Sequence, residues 1–289
     1  MPADFTPEGL ALQAKVKTFM DELIYPNEEE FERQYRELGD HSYPPILDDL
    51  KAEARNRGLW NMFLPHLRPG DPGTKLSNLD YAPISEELGK VTFAPEVFNC
   101  NAPDTGNMEV LNTFATERIR QEWLTPLLNG DIRSGFAMTE PDVASSDATN
   151  ISLQITKDGD EYVLNGRKWF TTGALADRCR VFIVMGKSNP NEARHKQQSM
   201  IVVPKATPGS PRSMRASVGS DTPMRWAQIF SCSTAAARNV SPAASTISAP
   251  CADSFDAILP MVVVLPEPLT PTNRTIRGLG PSLKSTTCS

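Results

Sequence analysis

The chain has 289 residues, with 35 acidic and 29 basic side chains and a formal net charge of −6. This length allows two domains of ordinary size, each with its own hydrophobic core. The acidic balance argues against a nucleic-acid or anionic-membrane partner, because binding phosphate groups requires a basic surface.

The sequence argues against a membrane span, a disulfide framework and a structural zinc site. The longest apolar run, residues 258–265, is broken by Pro260 and is far shorter than the ~20 residues of a membrane-spanning helix. We therefore expect no membrane span. The five cysteines form no CxxC pair and there are only three histidines, which argues against a disulfide framework and a structural zinc site. Without a signal-peptide pattern, a cytoplasmic protein is expected, with mitochondria and peroxisomes as alternatives.

Residues 1–132 are predicted to form an N-terminal all-α domain. Thr6-Pro7-Glu8 is typical of a helix start, and apolar side chains then recur on one face. Further helices are predicted over residues 45–58, 78–89 and 116–130, each with apolar residues at helical spacing and a glycine at its end.

Residues 133–209 are predicted to form an antiparallel β domain, which makes the fold class α+β. Apolar and polar residues alternate from Ile151 to Ile155, and residues 157–160 have the composition of a turn. Asn165-Gly166 is typical of a two-residue hairpin, so another strand is expected after it. Two apolar runs, residues 181–185 and 200–203, predict buried strands.

The last segment, residues 210–289, differs in composition from the rest of the chain. It is rich in Ser, Thr, Pro and Ala and contains a single Lys and a single Glu. No helical periodicity is sustained in it, so we expect it to be irregular or disordered. The abrupt change favours a frame-shift or gene-model artefact, and a genuine low-complexity tail is the alternative.

The sequence FAMTEPDVASSDATN, residues 136–150, predicts a ligand-binding corner. An apolar strand opens into a loop of small residues, whose amide and hydroxyl groups can converge on a ligand. The strand backbone and the Thr139 hydroxyl could bond the polar edge of a flat ring, and the Ser145-Ser146 pair could reach a phosphate. Alternatively, polar side chains such as Glu140 and Asp147 only satisfy amides within the loop.

A second candidate is NGRKWFTTGA, residues 165–174. On a strand after the predicted hairpin, Trp169, Phe170 and the two threonines would alternate between the faces. An aromatic ring and a hydroxyl could then serve the same ligand. The alternative is that the aromatic side chains belong to the core.

These two stretches, with NAPDTGNMEVL (residues 101–111) and RHKQQSMIVVPKATPG (residues 194–209), resemble the acyl-CoA dehydrogenase family. The loop sequence Asp-Val-Ala-Ser-Ser-Asp is similar to the branch of the mammalian acyl-CoA dehydrogenase family members ten and eleven. The resemblance covers residues 6–209, with several long motifs in the family's order.

The resemblance implies an FAD-dependent oxidoreductase of fatty-acid β-oxidation. Such an enzyme converts an acyl-CoA into a trans-2-enoyl-CoA, and an electron-transferring flavoprotein is the usual acceptor. By position, the backbone of Ala137 and Met138 and the hydroxyl of Thr139 would bond the flavin's pyrimidine edge. Phe170 would pack on the ring, and Thr172 would approach N5. The residues implied to line the FAD site are Phe136, Ala137, Met138, Thr139, Ser145, Phe170, Thr171 and Thr172, and Ser145 is also implied to contact the acyl-CoA.

In this family the catalytic carboxylate belongs to a C-terminal helical bundle, which the resemblance does not reach. We therefore assign no catalytic residue and no metal ligand, and expect a truncated dehydrogenase that lacks its base. One alternative is a non-catalytic flavin- or acyl-CoA-binding module that associates with full-length relatives, which form homo-oligomers. Another is a chain that does not fold stably, because its flavin-facing side exposes apolar surface.

Overall fold

The computed structural model describes residues 5–39, 41–158 and 161–207. The predicted tail, residues 210–289, lies outside them. Helices occupy the chain up to residue 128 and strands follow, so the predicted α+β order is confirmed. None of the helices in the described ranges is long and apolar enough to cross a membrane.

The helical region contains α-helices of very different length. In chain order, α1–α8 are Pro7–Phe19, Glu28–Leu38, Ile46–Asn56, Asn78–Leu88, Ala94–Val97, Asp104–Phe114, Glu117–Ile119 and Thr125–Leu128. All four predicted helices are present, and the one predicted over residues 116–130 consists of α7, a π-helical turn at Arg120–Leu124 and α8. Three others, α2, α5 and α6, were missed: α5 has only four residues, and α6 buries polar side chains as well as apolar ones. In α2 the apolar side chains of Phe31, Tyr35 and Leu38 do recur at helical spacing, so the sequence contained a signal for this helix.

Five strands form a single mixed sheet within the described residues. They are β1 (Arg133–Ala137), β2 (Gln154–Asp158), β3 (Glu161–Asn165), β4 (Cys179–Lys187) and β5 (Gln198–Pro204). Strand β4 pairs with β1 and β2 in parallel and with β5 antiparallel, and β2 pairs antiparallel with β3. The sequence predicted an antiparallel sheet, and this prediction is wrong for the parallel pairs that β4 forms with β1 and β2. Alternation of apolar residues identifies strands but does not encode which distant strand they pair with.

The predicted hairpin at Asn165-Gly166 is wrong. Strand β3 ends at Asn165, and the chain then leaves the sheet until Cys179. The hairpin instead joins β2 to β3, where Asp158 pairs with Glu161, at the turn predicted from residues 157–160. Gly166 has another purpose: a Cβ there would lie 2.7 Å from the Leu153 backbone, and φ is +157°. Only glycine allows this close approach.

The two faces of the sheet belong to different cores. On one face, Val181, Ile183 and Val202 pack into the large core of the helical region. On the other, Phe182 and Val184 join a smaller cluster that also contains Ala137, Ile155, Ala174 and Ile201. The alternation along β4 follows from the two-residue period of a strand.

A glycine in β4 allows a test of this packing. In Gly186→Ala the new methyl would lie 2.9 Å from the Leu153 carbonyl oxygen, which cannot move without breaking the sheet. We expect the free energy of unfolding to fall by about 1–3 kcal/mol, measured by denaturant unfolding. The matched control is Gly106→Ala in α6, where a methyl enters open space; its stability should be unchanged or up to about 1 kcal/mol higher. Equal stabilities of the two variants would contradict the packing.

A largely buried network of charges joins the helical region to the first strand. Arg133 pairs with Asp104 and, at 2.6 Å, with Glu96, while Lys51 lies 2.9 Å from Glu96. Asp104 also accepts hydrogen bonds from the Ser134 N–H at 2.7 Å and from its hydroxyl at 2.5 Å. The start of β1 is therefore fixed by ionic contacts to α5 and α6, and Glu96 extends the network to Lys51 of α3.

This network predicts a loss of stability in acid. Burial alone would raise the pKa of Glu96, but the charges of Arg133 and Lys51 outweigh it and lower the pKa from 4.5 to about 2. Because the carboxylate is favoured in the folded state, its contribution is complete above pH 4.5 and is lost as the pH falls toward 2. It amounts to on the order of 3 kcal/mol. Denaturant unfolding at several pH values should therefore show a shallower decline below pH 4.5 for Glu96→Gln than for the unaltered chain. Parallel curves would rule out this role for Glu96.

Candidate cofactor site

Two loops meet beyond the end of strand β1. We call residues 138–153 the strand-end loop and residues 166–174 the aromatic loop. The Trp169 N–H donates to the Thr139 carbonyl at 2.7 Å, and the Lys168 ammonium donates to the Met138 carbonyl at 2.8 Å. The two sequence stretches singled out as ligand-binding are therefore in direct contact, although no hairpin brings them together.

A buried ion pair lies between the loops. The Glu140 carboxylate lies 2.9 Å from the Lys168 ammonium, and both side chains are buried. Glu140 also accepts hydrogen bonds from the Ser152 N–H at 2.7 Å, the Ser152 hydroxyl at 2.5 Å and the Leu153 N–H at 2.9 Å. One carboxylate thus holds both ends of the strand-end loop and the start of the aromatic loop.

Burial opposes the charge on both members of this pair, but only at Glu140 do the hydrogen bonds outweigh it. Burial opposes ionisation of Glu140, but its hydrogen bonds from Ser152, Lys168 and Leu153 outweigh this effect and lower its pKa. The pKa of Lys168 is also lowered, because burial outweighs the attraction of Glu140. Glu140 is therefore a firmly held carboxylate with its oxygens committed to the loop.

A second ion pair joins the same two loops at the surface. The Arg167 guanidinium lies 2.7 Å from the Asp142 carboxylate, and both side chains are exposed. Ion pairs in this setting contribute little to stability.

The aromatic loop presents one ring to the outside. Trp169 and Phe170 stack with ring centroids 4.8 Å apart and planes at 15°. Phe170 is 46% exposed and has φ of +53°, in the left-handed region that bulky side chains avoid. The Trp169 indole N–H is buried without a hydrogen-bond partner in the described part of the chain. Strain and exposed apolar surface in the same place are typical of a ligand site.

Hydroxyl groups accompany this ring. Thr139 and Thr172 are half-buried, and neither hydroxyl is bonded to any other described residue. Thr171 is buried and covers β1, since a Cβ on Gly135 would lie 3.2 Å from its methyl group. The site thus offers two unbonded hydroxyls and one exposed aromatic ring.

The side chains of the other residues implied to line the FAD site are less available for contact with a ligand. Ala137 is buried in the smaller core, so that only its backbone is available, and Met138 is half-buried. Phe136 lies against the helical core, on the opposite face from Ala137. The buried Ser145 hydroxyl accepts from the Glu140 N–H at 2.8 Å and is used inside the strand-end loop.

The alternative explanation of the strand-end loop was that its polar side chains only satisfy amides within the loop. Glu140 and Asp147 do accept such hydrogen bonds. Glu140 serves Ser152 and Leu153, as described above. Asp147 accepts from the Thr149 N–H at 3.0 Å and pairs with Arg194 at 2.8 Å. The burial of Lys168 has no signal in the sequence, because a lysine two residues after an Asn-Gly dipeptide is ordinarily exposed.

Comparison with known families identifies both regions. Residues 6–131 match the model of the acyl-CoA dehydrogenase N-terminal domain, and residues 135–230 match the model of its middle domain. The chain belongs to the acyl-CoA dehydrogenase family. This family comprises flavoprotein oxidoreductases. The middle-domain match extends beyond residue 209, where the resemblance seen in the sequence ended.

Individual acyl-CoA dehydrogenases support this membership. The chain is 49% identical over 211 residues to the "Probable acyl-CoA dehydrogenase FadE2" of Mycobacterium tuberculosis, covering 71% of this chain and 50% of that protein. It is 53% identical over 207 residues to acyl-CoA dehydrogenase family member 11 of Gallus gallus, covering 70% of this chain and 26% of that protein. The predicted likeness to the branch of members ten and eleven is confirmed. The chain spans between a quarter and a half of these relatives.

Solved acyl-CoA dehydrogenases share the fold. A structure from Mycobacterium abscessus has a TM-score of 0.66 and 48% identity, over 71% of this chain and 52% of that chain. A glutaryl-CoA dehydrogenase from Mycobacterium smegmatis, solved in complex with FADH2, has a TM-score of 0.53 and 24% identity over 71% of this chain and 47% of that chain. At that identity the second likeness concerns the fold alone.

Proposed function

We propose that this chain provides the flavin-binding wall of an FAD-dependent acyl-CoA dehydrogenase, which forms a trans-2-enoyl-CoA from an acyl-CoA. The observation that carries the proposal is the contact between the strand-end loop and the aromatic loop, which brings together the loops that contain the exposed Phe170 ring and the half-buried Thr139 and Thr172. Membership of a family of flavoprotein oxidoreductases supports it. In this proposal an electron-transferring flavoprotein accepts the electrons, and the whole protein forms homo-oligomers.

The residues present fit a flat, largely apolar ring with one polar edge. Phe170 would pack against the ring, while Thr139 and Thr172 would donate hydrogen bonds to its polar atoms. The buried Thr171 would hold the aromatic loop against β1. Bound FAD would supply the acceptor for the hydride that leaves the acyl β-carbon. Ser145 would reach the FAD pyrophosphate or the acyl-CoA only by giving up its hydrogen bond from the Glu140 N–H.

Proton removal requires a carboxylate that is free to accept a proton. Glu140 does not meet this requirement, because its oxygens are bonded to Lys168, Ser152 and Leu153. Because the buried carboxylate between the two loops is excluded as the base, the second candidate is a non-catalytic module that binds flavin or acyl-CoA. Anaerobic addition of acyl-CoA to the FAD-loaded chain separates the two: loss of the flavin absorption band indicates dehydrogenation, and an unchanged band with bound acyl-CoA indicates the module.

Binding of FAD is the first test of both candidates. We expect saturable quenching of protein fluorescence when FAD is added to the purified chain, with a change in the visible absorption of the flavin, because the bound ring would stack against Phe170 beside Trp169. Riboflavin should reproduce the spectral change at higher concentration. A chain that is folded by circular dichroism and leaves the flavin spectrum unchanged at all concentrations would contradict the proposed function.

Replacing Phe170 with Gly should change stability and binding in opposite directions. The free chain should become more stable, by up to about 1 kcal/mol, because glycine adopts φ of +53° without strain and an exposed ring is removed. Affinity for FAD should fall about tenfold or more, the size of one aromatic contact. Phe114→Ala, which removes another exposed ring from α6, is the control and should leave FAD affinity unchanged. If the Phe170 variant is less stable than the unaltered chain, the backbone of Phe170 is not strained in the free protein.

A further inference from the structure

We propose that Lys168 and Glu140 are a positioning pair, which holds the aromatic loop against the strand-end loop so that the ring of Phe170 and the hydroxyls of Thr139 and Thr172 face one ligand. This inference rests on the proposed flavin site. It assigns no chemical step to either residue.

The contacts of Lys168 lead to this proposal. Its ammonium group bonds both the Glu140 carboxylate, at 2.9 Å, and the Met138 carbonyl, at 2.8 Å. The next residue, Trp169, donates its N–H to the Thr139 carbonyl. Two consecutive residues of one loop therefore fix three consecutive residues of the other, and any sliding of the loops would break every one of these contacts.

Glu140 extends the same constraint to the far end of the strand-end loop. Its contacts with Ser152 and Leu153 lie immediately before β2, which starts at Gln154. The carboxylate thus ties the end of β1, the start of β2 and the aromatic loop to one point. Because these strands belong to the same sheet, they restrict the motion of the loops attached to them.

Stability alone does not account for a buried pair at this place. The exposed pair Arg167–Asp142 joins the same two loops, but at the surface it contributes little to stability and does not fix their register. At Lys168 the attraction of Glu140 offsets the cost of burial only in part, so the pKa of Lys168 is lowered. At Glu140 burial is outweighed once the hydrogen bonds from Ser152 and Leu153 are added, and its pKa is lowered as well. What the buried pair adds is a single register of the loops, directly before the strained Phe170. A ligand site loses affinity when such a residue moves by about 1 Å.

The experiment compares Lys168→Met with Arg167→Met in the full chain. Lys168→Met keeps the length of the side chain and removes the charge that bonds both Glu140 and Met138, whereas Arg167→Met removes only the surface pair. Three quantities are measured: exchange of the Trp169 amide hydrogen in the free chain, the dissociation constant for FAD, and the visible circular dichroism of the bound flavin.

For Lys168→Met we expect faster exchange at Trp169, an FAD dissociation constant raised about tenfold or more, and an altered flavin dichroism. For Arg167→Met all three quantities should stay within about twofold of the unaltered chain. If Lys168→Met only lowers the melting temperature, with unchanged amide exchange and unchanged flavin dichroism and affinity in the folded protein, the positioning role is wrong. If the unaltered chain binds no FAD, the proposed function fails, and the amide exchange still decides whether the pair fixes the loops.

Discussion

Replacing Arg133 with Met is expected to lower the free energy of unfolding by about 3–5 kcal/mol. The guanidinium pairs with Asp104 and Glu96, and the Asp104 side chain is almost completely buried. Without Arg133, the partners left among the described residues are Ser134 for Asp104 and Lys51 for Glu96. Denaturant unfolding at pH 7 measures the loss.

The control for this prediction is Arg33→Met on α2. Arg33 also contacts two acidic residues, Glu30 at 2.6 Å and Glu37 at 2.7 Å, but all three side chains are exposed. Its removal should change the free energy of unfolding by less than about 1 kcal/mol. Similar losses for the two arginine variants would mean that burial does not determine the strength of the Arg133 network.

Replacing Glu140 with Ala is expected to have the second largest effect, again about 3–5 kcal/mol. The change leaves the buried Lys168 ammonium with the Met138 carbonyl as its remaining partner and removes the acceptor of the Ser152 and Leu153 amides. An uncompensated charge and unpaired amides in a buried place are both costly. Thermal unfolding monitored by circular dichroism measures the loss.

Asp142→Ala is the matched control, because Asp142 lies in the same loop and pairs with Arg167 at the surface. We expect little change in its melting temperature. The double variant Glu140→Ala, Lys168→Met should recover part of the stability lost in Glu140→Ala, since no buried charge then remains. A double variant less stable than Glu140→Ala alone would show that Lys168 is not destabilised by the loss of its partner.

The sequence by itself determined the types of element and the family. Thr6 caps α1 through a hydrogen bond from the Gly9 N–H at 3.0 Å, as its position before Pro7 predicted. The apolar runs at residues 181–185 and 200–203 lie within β4 and β5. These features depend on hydrogen bonds and side-chain periods of a few consecutive residues, which a linear sequence displays directly. The long motifs of the two loops, together with residues 101–111 and 194–209, were sufficient for the family.

The tertiary structure alone decided how these pieces face one another. Strand β1 pairs in parallel with β4, although the strand-end loop and the β2–β3 hairpin separate them. Gly166 serves a close approach to Leu153 rather than a hairpin turn, and Lys168 is buried because Glu140 lies opposite it. The left-handed Phe170 has no local sequence signal either. Contacts between residues far apart in the chain depend on packing and on the neutralisation of buried charge. The spacing of apolar residues within a short segment predicts neither.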